Sequence, residues 1–375
     1  MATSSKDFPI DSGAAAPPAG GGYACGWAHA QGRRSSMEDE VILGTPLPAQ
    51  ADGAGDGGLQ LWAVMDGHAG RRAVELLVTL LPEAFARATR QALTTSSSSS
   101  DTSPLLSPDD ITHVLQTVDE QLLAASDAEG GWSDGATALL AITATSEHRR
   151  RPMQLIQLGD SQAVLCGAFG ADALCPQHRV GEPEEDARLE ALGTTVEDGR
   201  VVGGGAAVAV TRSLGDAPVK RGSAGGLIAV PAVSEHRLSA ADELLLLGCD
   251  GLWDVMGAED AYDIARKAGR GRDGTWNLEA AATALVKAAL DRRTGDNVSV
   301  VALGLKQPRA QVQRGGGAAT AGAIGGGNAA PGLVRRQPGA PHVRGPAAGA
   351  MGSTAGVQVT LGAGGSILSV RRAGS

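Results

Sequence analysis

One pattern occurs twice in this sequence: an apolar run that predicts a buried β-strand leads into the dipeptide Asp-Gly. Residues 61–65 lead into Asp66, and residues 243–249 lead into Asp250. A carboxylate at a strand end, next to a glycine whose bare backbone lets a ligand approach, can offer oxygen ligands to a hard cation such as Mg²⁺ or Mn²⁺. Asp-Gly is also an ordinary turn dipeptide. The pattern therefore indicates a metal site only if the chain supplies more acids.

Three further acids, Asp39, Asp160 and Asp296, stand at predicted turns beside short apolar runs. Asp39 belongs to a charged stretch, residues 33–40, which alone would favour a solvated loop. The apolar residues 41–43 that follow indicate instead that this stretch packs against a core. Carboxylates gathered without His or Cys partners select Mg²⁺ or Mn²⁺ over zinc.

Such a site would suit phosphoryl transfer to water. Two divalent ions about 4 Å apart can convert a bridging water into hydroxide near neutral pH and stabilise charge on the leaving oxygen. The reaction also needs a cation that grips the non-reacting phosphate oxygens, which Arg34 or Arg33 can provide. The neighbour of the first Asp-Gly pair, His68, can protonate the leaving alkoxide.

Composition limits the class of protein. The 375 residues are 42% hydrophobic, enough for a substantial core. Four scattered cysteines form no Cys-x-x-Cys pair and suit reduced thiols inside the cell, and none has the Arg six positions on that a cysteine-dependent phosphatase needs. No apolar run approaches the roughly 18 residues of a membrane span, and the N-terminus lacks the core of a secretory signal. We expect a soluble protein of the cytoplasm, the nucleus or both.

The chain divides into three parts. Residues 1–21 are rich in Ala, Gly, Ser and Pro and predict a disordered leader, and residues 22–306 carry the motifs and the apolar periodicity of one domain. Residues 307–375 predict a disordered Gly/Ala-rich tail. From Lys306 onward there are eight Lys or Arg residues and no acid, whereas the formal charge of the whole chain is −9. A basic tail can bind an acidic partner or nucleic acid, but without interleaved aromatics a solvated linker is favoured.

Apolar periodicity predicts the elements around the acids. A helix that contains Pro82 follows residue 70, a second begins at Ser107-Pro108, and a third is capped by Asn277. Residues 153–158 and 163–166, joined by Gly159-Asp160-Ser161, predict a β-hairpin.

Seven short motifs resemble, in order, those of the protein phosphatase 2C family, the metal-dependent PPM-type Ser/Thr phosphatases. They are Arg-Arg-x-x-Met-Glu-Asp (33–39), Met-Asp-Gly-His-Ala-Gly (65–70), Asp-Gly-Ala-Thr-Ala (134–138), Gly-Asp-Ser-x-Ala-Val-Leu (159–165), Ala-Val-Thr-Arg-Ser-Leu-Gly-Asp (209–216), Cys-Asp-Gly-Leu-Trp-Asp-Val (249–255) and Gly-Asp-Asn-Val-Ser-Val (295–300). Each motif alone is weak, but the ordered set over residues 23–305 is specific. The first motif is similar to that of plant and algal members.

The resemblance implies an α+β fold in which two antiparallel β-sheets pack as a sandwich flanked by α-helices, with two Mg²⁺ or Mn²⁺ ions at one end. It implies the following roles: Asp66 bridges both ions, Gly67 contributes its carbonyl, Asp250 and Asp296 hold the first ion, Glu38 and Asp39 act through bound waters, Arg34 binds phosphate and His68 is the general acid. Asp160 with Asp250 matches the pair that can hold a weaker third ion. Adjacent residues on a strand point to opposite faces, so a local bend must let both Glu38 and Asp39 reach the site.

The activity implied is hydrolysis of phosphoserine and phosphothreonine monoesters in phosphoproteins by a metal-bridging hydroxide, without a phospho-enzyme. We expect a monomer that binds neither membrane nor nucleic acid. A catalytically silent relative is an alternative, but its simplest mark would be the loss of Asp66, Asp250 or Asp296, and all three are present. A nucleic-acid-binding protein acting through the basic tail is a third hypothesis.

The sequence departs from the family pattern in two places. Residues 193–210 are longer than the usual segment, and Gln177-His178-Arg179-Val180 replaces the usual Asp-His-Lys-Pro. Both segments belong to the region expected to shape the wall of the cleft. The choice of substrate therefore stays open.

Overall fold

The computed structural model describes residues 8–16, 22–48, 58–95, 106–144, 151–305, 357–361 and 367–372. The strands are β1 (Asp11–Ala15), β2 (Ala24–Ala30), β3 (Glu40–Leu47), β4 (Leu59–Met65), β5 (Gly67–His68), β6 (Gly135–Ala136), β7 (Ala138–Ala144), β8 (Arg151–Leu158), β9 (Gln162–Gly167), β10 (Gly170–Ala173), β11 (Val196–Glu197), β12 (Arg200–Gly203), β13 (Ala206–Val208), β14 (Leu214–Gly215), β15 (Ala232–Leu238), β16 (Asp242–Gly248), β17 (Val298–Gly304), β18 (Val357–Leu361) and β19 (Ile367–Arg372). The helices are α1 (Arg72–Thr95), α2 (Pro108–Ala128), α3 (Pro183–Leu192), α4 (Ala217–Gly222), α5 (Asp250–Trp253), α6 (Ala258–Gly269) and α7 (Leu278–Asp291).

Two large antiparallel sheets form the centre of the molecule. One has the strand order β1-β2-β17-β16-β9-β10 and the other β15-β8-β7-β4-β3. A buried apolar layer lies between them, with Trp62 and Leu139 from the five-stranded sheet and Leu245 and Val301 from the six-stranded sheet. Because alternate residues of a strand point to opposite faces, the residues between these positions face outward and need a second cover.

Helices provide that cover on both outer faces. On the five-stranded sheet, Leu61 and Leu140 share a buried cluster with residues of α1 and α2. On the six-stranded sheet, Leu246 and Val300 share another with residues of α6 and α7. The prediction of an α+β fold, with two antiparallel sheets packed as a sandwich flanked by helices, is confirmed. None of the helices in the described ranges is long and apolar enough to cross a membrane.

The helix starts follow the capping residues that the sequence offers. The Ser107 hydroxyl accepts a hydrogen bond from the backbone N–H of Asp110 (3.1 Å), and the Asn277 side chain accepts one from Ala280 (2.9 Å). Helix α1 continues through Pro82. The three predicted helices are therefore present and begin at or within two residues of the predicted positions.

The predicted hairpin at residues 153–166 is wrong. Strand β8 pairs with β7 and β15, whereas β9 pairs with β16 and β10 in the other sheet. The turn of Gly159, Asp160 and Ser161 thus carries the chain from one sheet to the other. A hairpin and a crossover between sheets can both consist of two strands joined by a tight turn. Their sequence patterns are then the same, so periodicity cannot distinguish them.

The chain has strands in the regions predicted to be a disordered leader and tail. Strand β1 pairs with β2, from Asp11 opposite His29 to Ala15 opposite Cys25. Edge pairing of this kind uses backbone groups and needs few apolar side chains, so composition gives no sign of it. In the tail, β18 pairs with β19. The other residues of 1–21 and 307–375, apart from 8–10 and 16, lie outside the described ranges.

A three-stranded antiparallel flap, β11-β12-β13, stands beside the sandwich. Its two turns each place two consecutive residues at positive φ, the geometry that suits two-residue hairpins: Asp198 (49°), Gly199 (70°), Gly204 (57°) and Gly205 (80°). Val201 and Val208 pack with Leu189 of α3 and Val219 of α4 in a small apolar cluster of its own. The flap is therefore attached through α3 and α4 and not through the main core.

Glu185 in α3 anchors the chain that follows the flap. Its buried carboxylate accepts hydrogen bonds from the Thr211 hydroxyl (2.5 Å), from Arg212 Nε (3.0 Å) and from Arg188 Nη2 (2.9 Å). Burial opposes ionisation, but these hydrogen bonds outweigh it and lower the pKa of Glu185 to about 2.

We expect Glu185→Gln to lower the free energy of unfolding at pH 7 by about 2 kcal/mol, because two guanidinium groups lose a buried ionic partner. A carboxylate with a lowered pKa stabilises the fold above its ordinary pKa of 4.5, and that stability is lost as the pH falls from there towards 2. The difference between wild type and variant should stay constant from pH 7 to about pH 5 and narrow between pH 4.5 and pH 2 in urea titrations. A difference that does not change with pH, or an equal loss in the exposed control Glu184→Gln, would contradict this account.

Candidate metal centre and cleft

Strand register brings the acids of the sequence to one end of the sandwich. In one sheet the start of β3 lies beside the end of β4, with Glu40 opposite Met65, so Asp39 and Asp66 are neighbours. In the other sheet the end of β16 lies beside the start of β17, which places Asp250 near Asp296. The two antiparallel pairs therefore deliver two aspartates each to the same edge.

A cavity of about 430 Å³ opens at this edge. It is lined by seven of the nine predicted site residues: Arg34, Asp66, Gly67, His68, Asp160, Asp250 and Asp296. Asp39 lies below it, where oxygen atoms of Asp39 and Asp66 and the Cys249 sulfur fall within 4.8 Å of one another. Glu38 does not line the cavity. Its carboxylate instead accepts a hydrogen bond from the Ser36 hydroxyl at 2.7 Å.

The buried acids lack the hydrogen-bond donors that anions normally find. Among the described residues, neither carboxylate oxygen of Asp39 nor Oδ1 of Asp250 has a hydrogen-bond partner. Burial, together with neighbouring carboxylates, raises the pKa of Asp39 and that of Asp250 to about 7. Burial and the charges of Asp39 and Asp250 raise the pKa of Asp66 well above its usual range. Unpaired buried carboxylate oxygens with further carboxylates nearby fit a hard divalent cation.

The glycine after each aspartate is required by close backbone approach. A Cβ on Gly67 would collide with the carbonyl oxygen of Glu38, and one on Gly251 would collide with the carbonyl oxygen of Asn297. Both loops could not pack against their neighbours with any other residue. The recurrent Asp-Gly pair therefore reflects both the acid and the space beside it.

Asn297 folds the loop that carries Arg34. Its side chain donates to the carbonyl oxygens of Gln31 (2.8 Å) and Ser36 (2.9 Å) and accepts from the backbone N–H of Glu38 (2.8 Å). Residues 31–39 are irregular, which supplies the bend expected before β3. The Arg34 guanidinium donates to Asp296 Oδ2 at 2.5 Å and stays 55% exposed, with room for a further anion.

His68 is paired with a residue that the sequence analysis did not select. Its Nε2 lies 2.8 Å and 3.0 Å from the two carboxylate oxygens of Asp216, which is 1% exposed. The Ser213 hydroxyl donates to Asp216 Oδ2 at 2.6 Å. Burial opposes protonation of the imidazole, but the charge and hydrogen bond of Asp216 outweigh it and raise the pKa of His68. The sequence feature that could have identified Asp216 is its position at the end of the 209–216 motif. However, Asp216 lies 148 residues from His68 in the sequence.

A second residue missed by the sequence analysis is Thr137. Its backbone N–H donates to the carbonyl oxygen of Asp66 at 2.9 Å, and its hydroxyl accepts from the Asp66 N–H at 3.4 Å. Ser161 supports the hydroxyl at 3.1 Å. The peptide that carries the central aspartate is therefore held on both sides.

Arg179 contacts the part of the cleft where Asp160 lies. Its guanidinium is 3.2 Å from Asp160 Oδ2 and 3.2 Å from Asp254 Oδ1. This arginine belongs to the segment that replaces the usual Asp-His-Lys-Pro. A cation supplied by the chain itself thus neutralises one predicted metal ligand, Asp160, together with Asp254.

Known proteins are similar to this chain in sequence. Residues 23–298 match the model of the family Protein phosphatase 2C. The chain is 32% identical over 298 residues to Probable protein phosphatase 2C 68 of rice, with 76% of this chain and 79% of that protein covered. It is 30% identical to the bovine Integrin-linked kinase-associated serine/threonine phosphatase 2C, with 73% and 74% covered.

Solved structures agree on the fold. The serine-threonine phosphatase 2C from Toxoplasma gondii superimposes with a TM-score of 0.63 at 21% identity, covering 80% of this chain and 99% of that one. A C. elegans sex determining protein gives a TM-score of 0.59 at 24% identity, covering 76% and 65%. Since the family model spans most of the sequence and close to a third of the aligned residues are identical in the rice relative, this chain belongs to the protein phosphatase 2C family of serine/threonine protein phosphatases.

Proposed function

We propose that the chain hydrolyses phosphoserine and phosphothreonine monoesters in one step, with a hydroxide that bridges two Mg²⁺ or Mn²⁺ ions. The observation that carries this proposal is the set of buried carboxylate oxygens of Asp39 and Asp250 without hydrogen-bond donors. Oxygen ligands of this kind are what both ions prefer, and the family is metal-dependent. When bound, the ions would lower the pKa of a shared water and stabilise the charge that develops on the phosphoryl group.

The ligands follow from the predicted set. Asp66, with the carbonyl of Gly67, would lie between the ions, while Asp250 and Asp296 would hold the first. Asp39 and Glu38 would act through water, which for Glu38 agrees with its place outside the cavity lining. The family resemblance supports each assignment.

Two cations flank the acids in different roles. Arg34 is fixed by Asp296 on one side and exposed on the other, so it can bind the non-reacting oxygens of a phosphate. Arg179 is held between Asp160 and Asp254. We propose that its guanidinium takes the place of the weaker third ion that the resemblance allows at Asp160, so that two ions suffice.

His68 would protonate the leaving alkoxide of serine or threonine. The imidazole lines the cavity beside Asp66 and is turned by a buried carboxylate. Asp216 fixes the ring and favours the protonated form that a general acid needs. Asp216 is therefore a positioning residue.

The catalytic unit would be residues 22–306, acting on phosphoproteins as a monomer in the cytoplasm, the nucleus or both. The motif order over residues 23–305 supports these domain limits. A catalytically silent relative is the rival function. Retention of every predicted metal ligand speaks against it.

We expect Mn²⁺ or Mg²⁺ to raise the melting temperature of the wild-type protein relative to EDTA. An ion that binds only the folded chain at about 100 times its Kd adds about 2.7 kcal/mol of stability. Scanning calorimetry should show most of this gain lost in Asp66→Asn and kept in Asp291→Asn, an exposed control at the end of α7. Equal gains in both variants would place the ions elsewhere.

Phosphate release from a phosphothreonine peptide should require Mn²⁺ or Mg²⁺ and stop in EDTA. Asp250→Asn should lower kcat by at least about 100-fold, because the charge stabilisation lost is several kcal/mol. A folded wild-type protein that is inactive with both ions would favour the silent relative. Nucleic-acid binding that survives without residues 1–305 would favour the tail hypothesis.

We expect Asp216→Asn to lower kcat on a phosphothreonine peptide by about tenfold or more, and to matter much less for p-nitrophenyl phosphate, whose leaving group needs little protonation. His68→Ala should show the same substrate dependence, and the double variant should be no slower than His68→Ala alone, because both changes remove one function. Additive losses in steady-state kinetics would assign Asp216 a separate, structural role.

A further inference from the structure

Arg200 is a cation of the cleft that the proposed function does not use. It is the first residue of β12, it is exposed, and it lines the same cavity as Arg34, Asp66 and His68. Unlike Arg34, it forms no ion pair within the described ranges. Glu197 stands opposite Arg200 in the register of the flap but makes no ion pair with it.

The flap holds this arginine in a defined place. Neighbouring residues of a strand face opposite sides, and Val201 is fully buried against α3 and α4, so Arg200 is directed away from the core of the flap. The turn between β12 and β13 lies directly on α4: a Cβ on Gly204 would collide with Pro218, and one on Gly222 with Gly204. This packing fixes the far end of β12, and the pairing of Val201 with Val208 holds the start of the strand, where Arg200 lines the cavity.

The other charged groups of the cavity have assigned partners, so the Arg200 guanidinium is left to bind a different anion. The cavity's aspartates are assigned to the ions, to His68 and, for Asp160, to Arg179, and Arg34 is assigned to the reacting phosphate. We propose, on the basis of the proposed function, that Arg200 forms a subsite for a second anion on the substrate: an acidic side chain or a second phosphate close to the phosphoresidue. Arginine suits both, because its planar fork matches carboxylate and phosphate oxygens.

The test compares phosphothreonine peptides that differ only in the residues beside the phosphothreonine: alanine, glutamate, lysine or a hydrolysis-resistant phosphonate. For the full chain with Mn²⁺, we expect a KM about three- to fivefold lower for the glutamate peptide than for the alanine peptide, the size of one exposed ion pair. The gain should shrink in higher salt. The phosphonate peptide separates the two sources of the anion by showing which of them Arg200 prefers.

Arg200→Ala should abolish the preference for an anion, so that its KM for the glutamate peptide equals its KM for the alanine peptide. Arg200→Glu should reverse it, so that the lysine peptide becomes the better substrate. The control is Arg272→Ala, a change at an exposed arginine that does not line the cavity, and it should behave as wild type.

Three results would overturn the subsite. One is a wild type without preference among the peptides, and another is a preference that survives in Arg200→Ala. The third is an equal loss of kcat/KM on every peptide, which would place Arg200 on the reacting phosphate instead. A wild type that hydrolyses none of the peptides would reject the proposed function and this subsite together, and is thereby distinguished from a failure of the subsite alone.

Discussion

Mutual repulsion of buried carboxylates is the constraint around which this molecule is organised. Asp39, Asp66 and Asp250 lie below or beside one cavity, and the pKa of each is raised because burial and the neighbouring charges oppose ionisation. Folding alone would not favour such an arrangement, since buried charges without partners are costly. A divalent cation changes the sign of the interaction, so the same arrangement becomes a strong binding site.

The sandwich makes this arrangement possible because two sheets end at one place. Each contributes a pair of antiparallel strands whose adjacent ends carry acids, and a glycine after Asp66 and after Asp250 lets the loops approach. Strand ends then position the acids, while the cations Arg34 and Arg200 come from a loop and from the flap.

The sequence predicts the parts of this site that depend on local pattern. Apolar runs before Asp66 and Asp250 indicate buried strands, and caps at Ser107 and Asn277 locate helices because these signals act within a few residues. It does not predict which strands pair. The residues around Asp160 have the sequence pattern of a hairpin, although they connect the two sheets. Strand β1 joins its sheet through backbone hydrogen bonds, which composition does not reveal. The pairing of His68 with Asp216 likewise depends on tertiary packing across 148 residues.

Strand β1 has a consequence for the solubility of the domain. It is the edge of the six-stranded sheet, so the backbone groups of β2 on that side are already paired. A recombinant fragment begun at Tyr23, where the family match starts, would keep every predicted metal ligand but leave that edge of β2 open. Open edges pair readily with strands of other molecules. Residues 11–15 thus replace the seven-residue edge that β2 would present with a shorter edge of five residues, although they carry none of the chemistry of the cleft.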